Sequence, residues 1–355
     1  MAKILVMGAG SAQSNGVINC LINVENPEEV IGAGSEPTDL IFASCEKKYL
    51  IPHSTSPEYK NALLKLLNLE KPDFMHFQHD QELFVASAFR DEILATGTKL
   101  FIPDHETIDL CVDKYKSYLK FKEAGIIVPR NIMVHHMDDL KNAFLALGNE
   151  DGVLWLRSTD IGGGGLGSLP TNDFEFAKHW IEKYDGWGKF VAAELLTPDS
   201  VTWLSIWYDG ELVVGQGRTR KGWSLAGRTI SGVTGITKVG QTCSNAEIAE
   251  IAIRSVKAVS EKPHGIYAVD MTYDKNGVAN PTEINIGRFF TTVQFFKEAG
   301  LNMPEILKDI AVYNKLPNLK KKINPLPEGL LWLRSMDKEP MLVTSEKIAE
   351  KIIQL

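Results

Sequence analysis

The sequence predicts an α/β protein of two or three lobes, opening on a parallel sheet. Over the first hundred residues, short apolar runs alternate with segments of helical period, the pattern of βαβ units. The chain has 355 residues, more than the roughly 250–300 over which a single core keeps growing. Further along, the turn signals Asp209-Gly210 and Lys275-Asn276-Gly277 separate apolar strands, as antiparallel hairpins require.

In order, KILVMG, SNGVINCLINV, EVIGAGSE, SPEYKNALLKLLNLEK, DFMHFQ, QELFVASAFRDEILATG and KLFIP alternate strand with helix. Gly8, Gly10 and Gly16 follow the first strand, but the third glycine of a dinucleotide fingerprint would fall at Gln13, so nicotinamide binding has little support. DKYKSYLKFKEAG reads as a basic amphipathic helix stopped by Gly125 with Pro129 beyond, which puts a domain boundary near Val112. An apolar run around VLWLR leads into LRSTDIGGGGLGS, followed by a helix over 172–183 and the strand KFVAAELL. VTWLSIWYDGELVVGQGR is then a hairpin, residues 219–237 a polar loop with Arg220, Lys221 and Arg228, residues 245–261 a helix, and GIYAVDMTYDKNGVANPTEINIGRF a strand pair.

Composition removes whole classes of function. A net charge of −7 argues against an extended nucleic-acid surface, and no run of 18 apolar residues offers a membrane span. Cys20, Cys45, Cys111 and Cys243 form no CxxC, so neither a zinc site nor a disulfide framework is expected, and the cytoplasm is the expected location. The histidines show no metal-ligand spacing, and Trp203, Trp207 and Trp223 are expected in the core.

The strand pair carries the most chemistry. Alternate strand residues share a face, so Glu283 and Asn285 point the same way and Asp270 joins them across the hairpin. Such oxygen ligands suit magnesium, which keeps room for water and substrate phosphates. Four consecutive glycines, Gly162, Gly163, Gly164 and Gly165, read either as a surface loop or as a flap whose bare amides cover phosphates. They are not a P-loop, because Ser168 and not Lys follows Gly167.

Together DKY at Asp113 to Tyr115, LRSTDIGGGGLGS, AAELL, GIYAVDMTYD and PTEINIGRF resemble the ATP-grasp superfamily, especially the carbamoyl-phosphate-synthetase-like carboxylate–amine ligases. The resemblance spans nearly the whole chain. It implies an α/β (α+β ATP-grasp) fold, with a Rossmann-like pre-ATP-grasp domain over 1–112 and an ATP-grasp domain over 113–325. That domain would comprise a flap-bearing lobe over about 125–195 and a metal-binding lobe over about 196–325, with a strand-helix extension over 326–355. It further implies ATP with Mg2+, two ions, Mn2+ being an admissible substitute. By resemblance Lys114 and Arg157 contact phosphates, Glu194 with the backbone of Leu195 and Leu196 recognises adenine, and Asp270, Glu283 and Asn285 hold metal. Arg288 closes the Glu-x-Asn motif one residue late, and Val201 stands near the usual ribose-binding Glu, with Asp199 a stand-in. Arg220, Arg228 and Arg288 are the acceptor-side arginines.

The expected activity is ADP-forming ligation of a small-molecule carboxylate to an amine through an acyl phosphate, with no nucleic-acid or membrane partner and a homodimer as the assembly it allows. Two alternatives share the site: a kinase-like enzyme making a carboxyl or carbamoyl phosphate, and a nucleotide-binding regulator without turnover. A nicotinamide dehydrogenase is a more distant one.

Overall fold

A computed structural model describes residues 1–159, 165, 167–336 and 338–351. Strands β1 (Lys3–Met7), β2 (Glu29–Gly34), β3 (Lys47–Leu50) and β4 (Phe74–His76) form a parallel sheet in the order β3-β2-β1-β4. The four strands point their carboxyl ends at one cleft of about 140 Å³, lined by Ser11, Glu36, Asp39, His53, His79 and Glu82 among others. The reversal of strand order beside β1 makes such a crevice in parallel sheets generally. β3 escapes the periodicity argument because it is a short, Lys-bearing, mostly exposed edge. KLFIP makes only a bridge, Lys99 to Phe74, and Pro103, with no N–H to offer, follows it.

An antiparallel sheet follows, built from β5 (Asn131–Val134), β6 (Leu154–Ser158), β7 (Leu169–Thr171) and β8 (Phe190–Glu194) in the order β5-β8-β6-β7. Helices Met137–Leu147 and Phe174–Lys183 put Leu140, Ala143, Leu147, Ala177 and Ile181 into a core that this segment shares with no other part of the chain.

The largest sheet has seven strands. These are β9 (Ser200–Tyr208), β10 (Glu211–Trp223), β11 (Thr237–Cys243), β12 (Gly265–Tyr273), β13 (Ala279–Ile286), β14 (Leu331–Leu333) and β15 (Met341–Val343). Their order is β13-β12-β9-β10-β11-β14-β15. Asp209 and Gly210 both take positive φ, 52° and 92°, at the β9–β10 turn, which matches the right-handed strand twist. β10 runs further than the sequence suggests: Arg220 pairs with Gly240 and Trp223 with Thr237 across bulges. The polar loop therefore shrinks to residues 224–236, and Arg220 and Lys221 sit on a strand. Unlike the second sheet, the first and third share two cores, one joining Leu5, Phe77 and Leu83 to Trp203 and Ile284, the other Ile4 and Val17 to Phe289 and Phe296. Among the described residues no helix is long and apolar enough to cross a membrane.

Candidate active site

Register builds the site. Glu283 on β13 pairs with Asp270 on β12, Asp270 with Thr202 on β9, and Thr202 with Arg218 on β10. Residues directly opposite in a sheet share a face, so the four form one transverse row. Asn285, two residues beyond Glu283, donates its amide to Asp270 Oδ2 at 3.1 Å. Asp270 Oδ1 accepts the Thr202 hydroxyl in a short hydrogen bond. Asp270, Glu283 and Asn285 thus meet on one face of the β12–β13 hairpin.

Basic groups converge on the row from three directions. Asp113 caps helix Lys114–Glu123 by accepting from the amides of Tyr115 and Lys116, which sets Lys114 at the helix start. Lys114 Nζ lies 3.8 Å from Glu283 Oε2. Arg157, at the end of β6, crosses from the second sheet to donate to the Thr282 carbonyl at 3.0 Å. Burial lowers its pKa, and the Glu283 charge opposes that. Arg220 lies 3.8 Å from Asp270 Oδ1, donates to Ser200 Oγ at 2.7 Å, and stacks over the Trp223 ring at 3.8 Å. Trp223 is thus a half-buried platform for an arginine, while Trp203 and Trp207 are core, at 0% and 2% exposure. Arg288 donates to Asn285 Oδ1 and to Asp80 in two short bonds. Burial works to lower its pKa, but the Asp80 carboxylate prevails and holds it above the usual value.

Other expected residues stand apart. Arg228 is exposed on the 3-10 turn Ala226–Arg228 and makes no polar contact with the row among the described residues. Glu194 is engaged by Arg130, whose backbone N–H and Nε donate to it at 2.8 and 2.7 Å. Its neighbours Leu195 and Leu196 lead into a loop tied to β12 by Thr197 N–H to the Tyr273 carbonyl at 2.9 Å. Asp199 is exposed at the end of that loop. Gly162, Gly163 and Gly164 lie outside the described residues. Gly165 has φ 76°, and a Cβ there would meet Val233 at 3.0 Å, so Gly165 lies against the Arg228 loop.

Three participants were not legible beforehand. Asp80 begins a helix of the first lobe and reaches Arg288 across 208 residues. Gln78, nearby, accepts from Phe289 N–H at 2.8 Å. Arg218 is 1% exposed, and only register and burial reveal its proximity to Asp270.

Among the described residues no three His, Cys, Asp or Glu gather to hold a metal by themselves. Two carboxylates and an amide nonetheless fit magnesium, which usually takes one or two carboxylates and completes its shell with water and phosphate. The side chains of Asp270 and Glu283 face one another in register and keep 22% and 31% of their surface exposed.

No protein-family model matches the sequence, and no curated protein sequence matches it. Solved structures do match in fold. Carboxyaminoimidazole ribonucleotide synthase from Aspergillus clavatus complexed with ATP is similar at 16% identity and TM-score 0.69, covering 94% of this chain and 81% of that one. L-amino acid ligase from Bacillus licheniformis is similar at 12% identity and TM-score 0.66, covering 94% and 79%. The biotin carboxylase domain of Hydrogenobacter thermophilus 2-oxoglutarate carboxylase, in complex with MgADP, ADP and bicarbonate, is similar at 16% identity and TM-score 0.66, covering 94% and 74%. These are ATP-grasp enzymes, and the chain has their fold.

Proposed function

On an ATP-grasp fold, we propose that this chain is an ADP-forming ligase that joins a small-molecule carboxylate to an amine. The observation that carries the reading is the meeting of Asp270, Glu283 and Asn285 with Lys114, Arg157, Arg220 and Arg288 on one sheet face. The described neighbours are, by name, a carboxyaminoimidazole ribonucleotide synthase, an L-amino acid ligase and a biotin carboxylase domain. Each matches over most of this chain.

Phosphoryl transfer asks mainly for positioning and charge neutralisation. Lys114 and Arg157 would hold the phosphates, aided by the amides of Gly162 to Gly165. Glu194 would have to leave Arg130 to reach adenine, so the backbone of Leu195 and Leu196 is the simpler adenine edge. Asp199 would meet the ribose. Magnesium held by Asp270, Glu283 and Asn285 would neutralise phosphate charge. Arg220 and Arg288 would grip the carboxylate through paired N–H donors, and Arg228 would join them from its loop. A carboxylate oxygen then bonds to the γ-phosphorus as the bond to the bridging oxygen breaks, releasing ADP. The amine lone pair attacks the acyl carbon, phosphate leaves with the bonding electrons, and the amine proton passes to water.

The test is ADP release across a panel of carboxylates, bicarbonate included, with and without an amine pool. Ligase activity requires both partners. Amine-independent release with a stable acyl phosphate would replace this reading by the kinase, and no release with any pair would leave a regulator.

A further inference from the structure

Arg218 is a buried cation that touches no carboxylate among the described residues. Its guanidinium lies 4.6 Å from the Phe290 ring centroid, and Nε has no hydrogen-bond partner. Burial, with Arg220 nearby, pushes its pKa down to about 9, which leaves it charged at neutral pH. Burying a charge with no carboxylate in direct contact is costly, so packing alone does not explain an arginine here. Methionine or leucine would fill the same space.

Its contacts suggest what the charge does. Nη1 donates to Thr237 Oγ1 at 3.1 Å and to Thr292 Oγ1 at 3.0 Å, and Nη2 donates to Thr202 Oγ1 at 2.7 Å. The Thr202 hydroxyl, accepting from the cation, passes its own proton donation to Asp270. Such a chain is polarised from end to end, each bond strengthening the next. Asn285 holds the other Asp270 oxygen, so the carboxylate is gripped from both sides. Room for the arginine is made on the next strand: at Gly240 a Cβ would stand 3.1 Å from Arg218 Cδ.

We propose that Arg218 is a positioning residue for the metal-binding carboxylate, acting through Thr202 to fix Asp270 in its ligating orientation before nucleotide arrives. It also ties the end of the 224–236 loop, through Thr237, and the segment after Arg288, through Thr292, to that carboxylate. The inference rests on the proposed magnesium site.

The measurement is the melting-temperature rise caused by ADP as Mg2+ is titrated, which needs no turnover and no knowledge of the acceptor. Thr202→Val keeps the shape and cuts the relay. It should raise the half-saturating Mg2+ about tenfold, the loss of one hydrogen bond to a charged group, and leave the response to metal-free ADP unchanged. Thr202→Ser retains the hydroxyl and should restore the wild-type Mg2+ dependence. Arg218→Met should match Thr202→Val, and the double variant should be no worse than either, because both cut one chain. If Arg218→Met does not fold, the Thr202 pair decides alone. Unchanged half-saturating Mg2+ in Thr202→Val, or the same defect in Thr202→Ser, overturns the relay. A wild-type protein whose response to ADP ignores Mg2+ overturns the proposed metal site as well.

Discussion

The crevice of the first sheet and the row on the third make opposite sites from similar materials. The crevice is a half-open cleft of about 140 Å³, lined by Glu36, Asp39 and Glu82 with no Lys or Arg among its lining residues. Small-molecule pockets commonly run to about 300–1,000 Å³. The row lies on an open sheet face, where Lys114, Arg157, Arg220 and Arg288 gather about two carboxylates. Concavity favours the first, but charge favours the second for the polyphosphate proposed above. Glu36, just beyond β2, nevertheless stands where dinucleotide folds put the acid that binds a ribose, so the comparison can be broken.

The largest expected effect falls on the row. Glu283→Gln should cut ADP release about a thousandfold, since a lost ligand charge leaves several kcal/mol of phosphate charge unneutralised. Circular dichroism and melting should stay close to wild type, and a fully active variant would remove Glu283 from the site. Next come the arginines: Arg288→Ala should lower kcat/KM for the carboxylate about ten- to a hundredfold, the worth of a charge-assisted contact. Arg288→Lys should recover little, because a point charge replaces a fork. Arg228→Ala should fall at the low end of that range with ATP affinity unmoved. Collapse of nucleotide binding there would transfer the Arg228 loop to the phosphate side.

Two smaller effects separate the crevice from the row. Mg2+ with ATP should raise the melting temperature by several degrees while NADH leaves it unchanged, since only a ligand of the native state stabilises. The reverse would make the crevice the nucleotide site. Within the crevice, burial pushes the Glu82 carboxyl up to about 7, although Tyr59 donates to it at 3.0 Å. The native state therefore holds this proton more tightly than the unfolded chain. Its contribution to stability is complete below the ordinary carboxylate range and is lost as pH rises through about 7. Glu82→Gln, which never ionises, should melt close to wild type at low pH and a few degrees higher on the alkaline side. A constant difference across pH would mean that folding leaves the Glu82 pKa unchanged.

How much of this could be read in advance follows from how local each cause is. Asp270, Glu283 and Asn285 sit on one hairpin whose turn residues are adjacent in sequence, so their common face follows from period and turn chemistry alone. The Asp113 cap beside Lys114 is equally local. The partnership of Arg218 with Thr202 depends on register between neighbouring strands and on burial, and a glycine on a third strand makes room for it. The sequence around Arg220 reads as a loop because the bulges that extend β10 leave no mark in its polar, glycine-rich composition. The engagement of Glu194 by Arg130 joins strands β5 and β8, far apart in the chain, and could not be anticipated from AAELL.

The Asp80 to Arg288 pair sets a timetable for synthesis. Its partners are 208 residues apart, so at the usual pace of about 5–20 residues per second the first waits roughly 10–40 s on the ribosome for the second to be made. During that interval the helix begun by Asp80 lacks the Gly287 segment against which Leu83 packs in the finished protein, where a Cβ on Gly287 would stand 2.2 Å from the leucine. A nascent chain carrying the first sheet alone would leave that face of the leucine open to water until the segment after β13 is made.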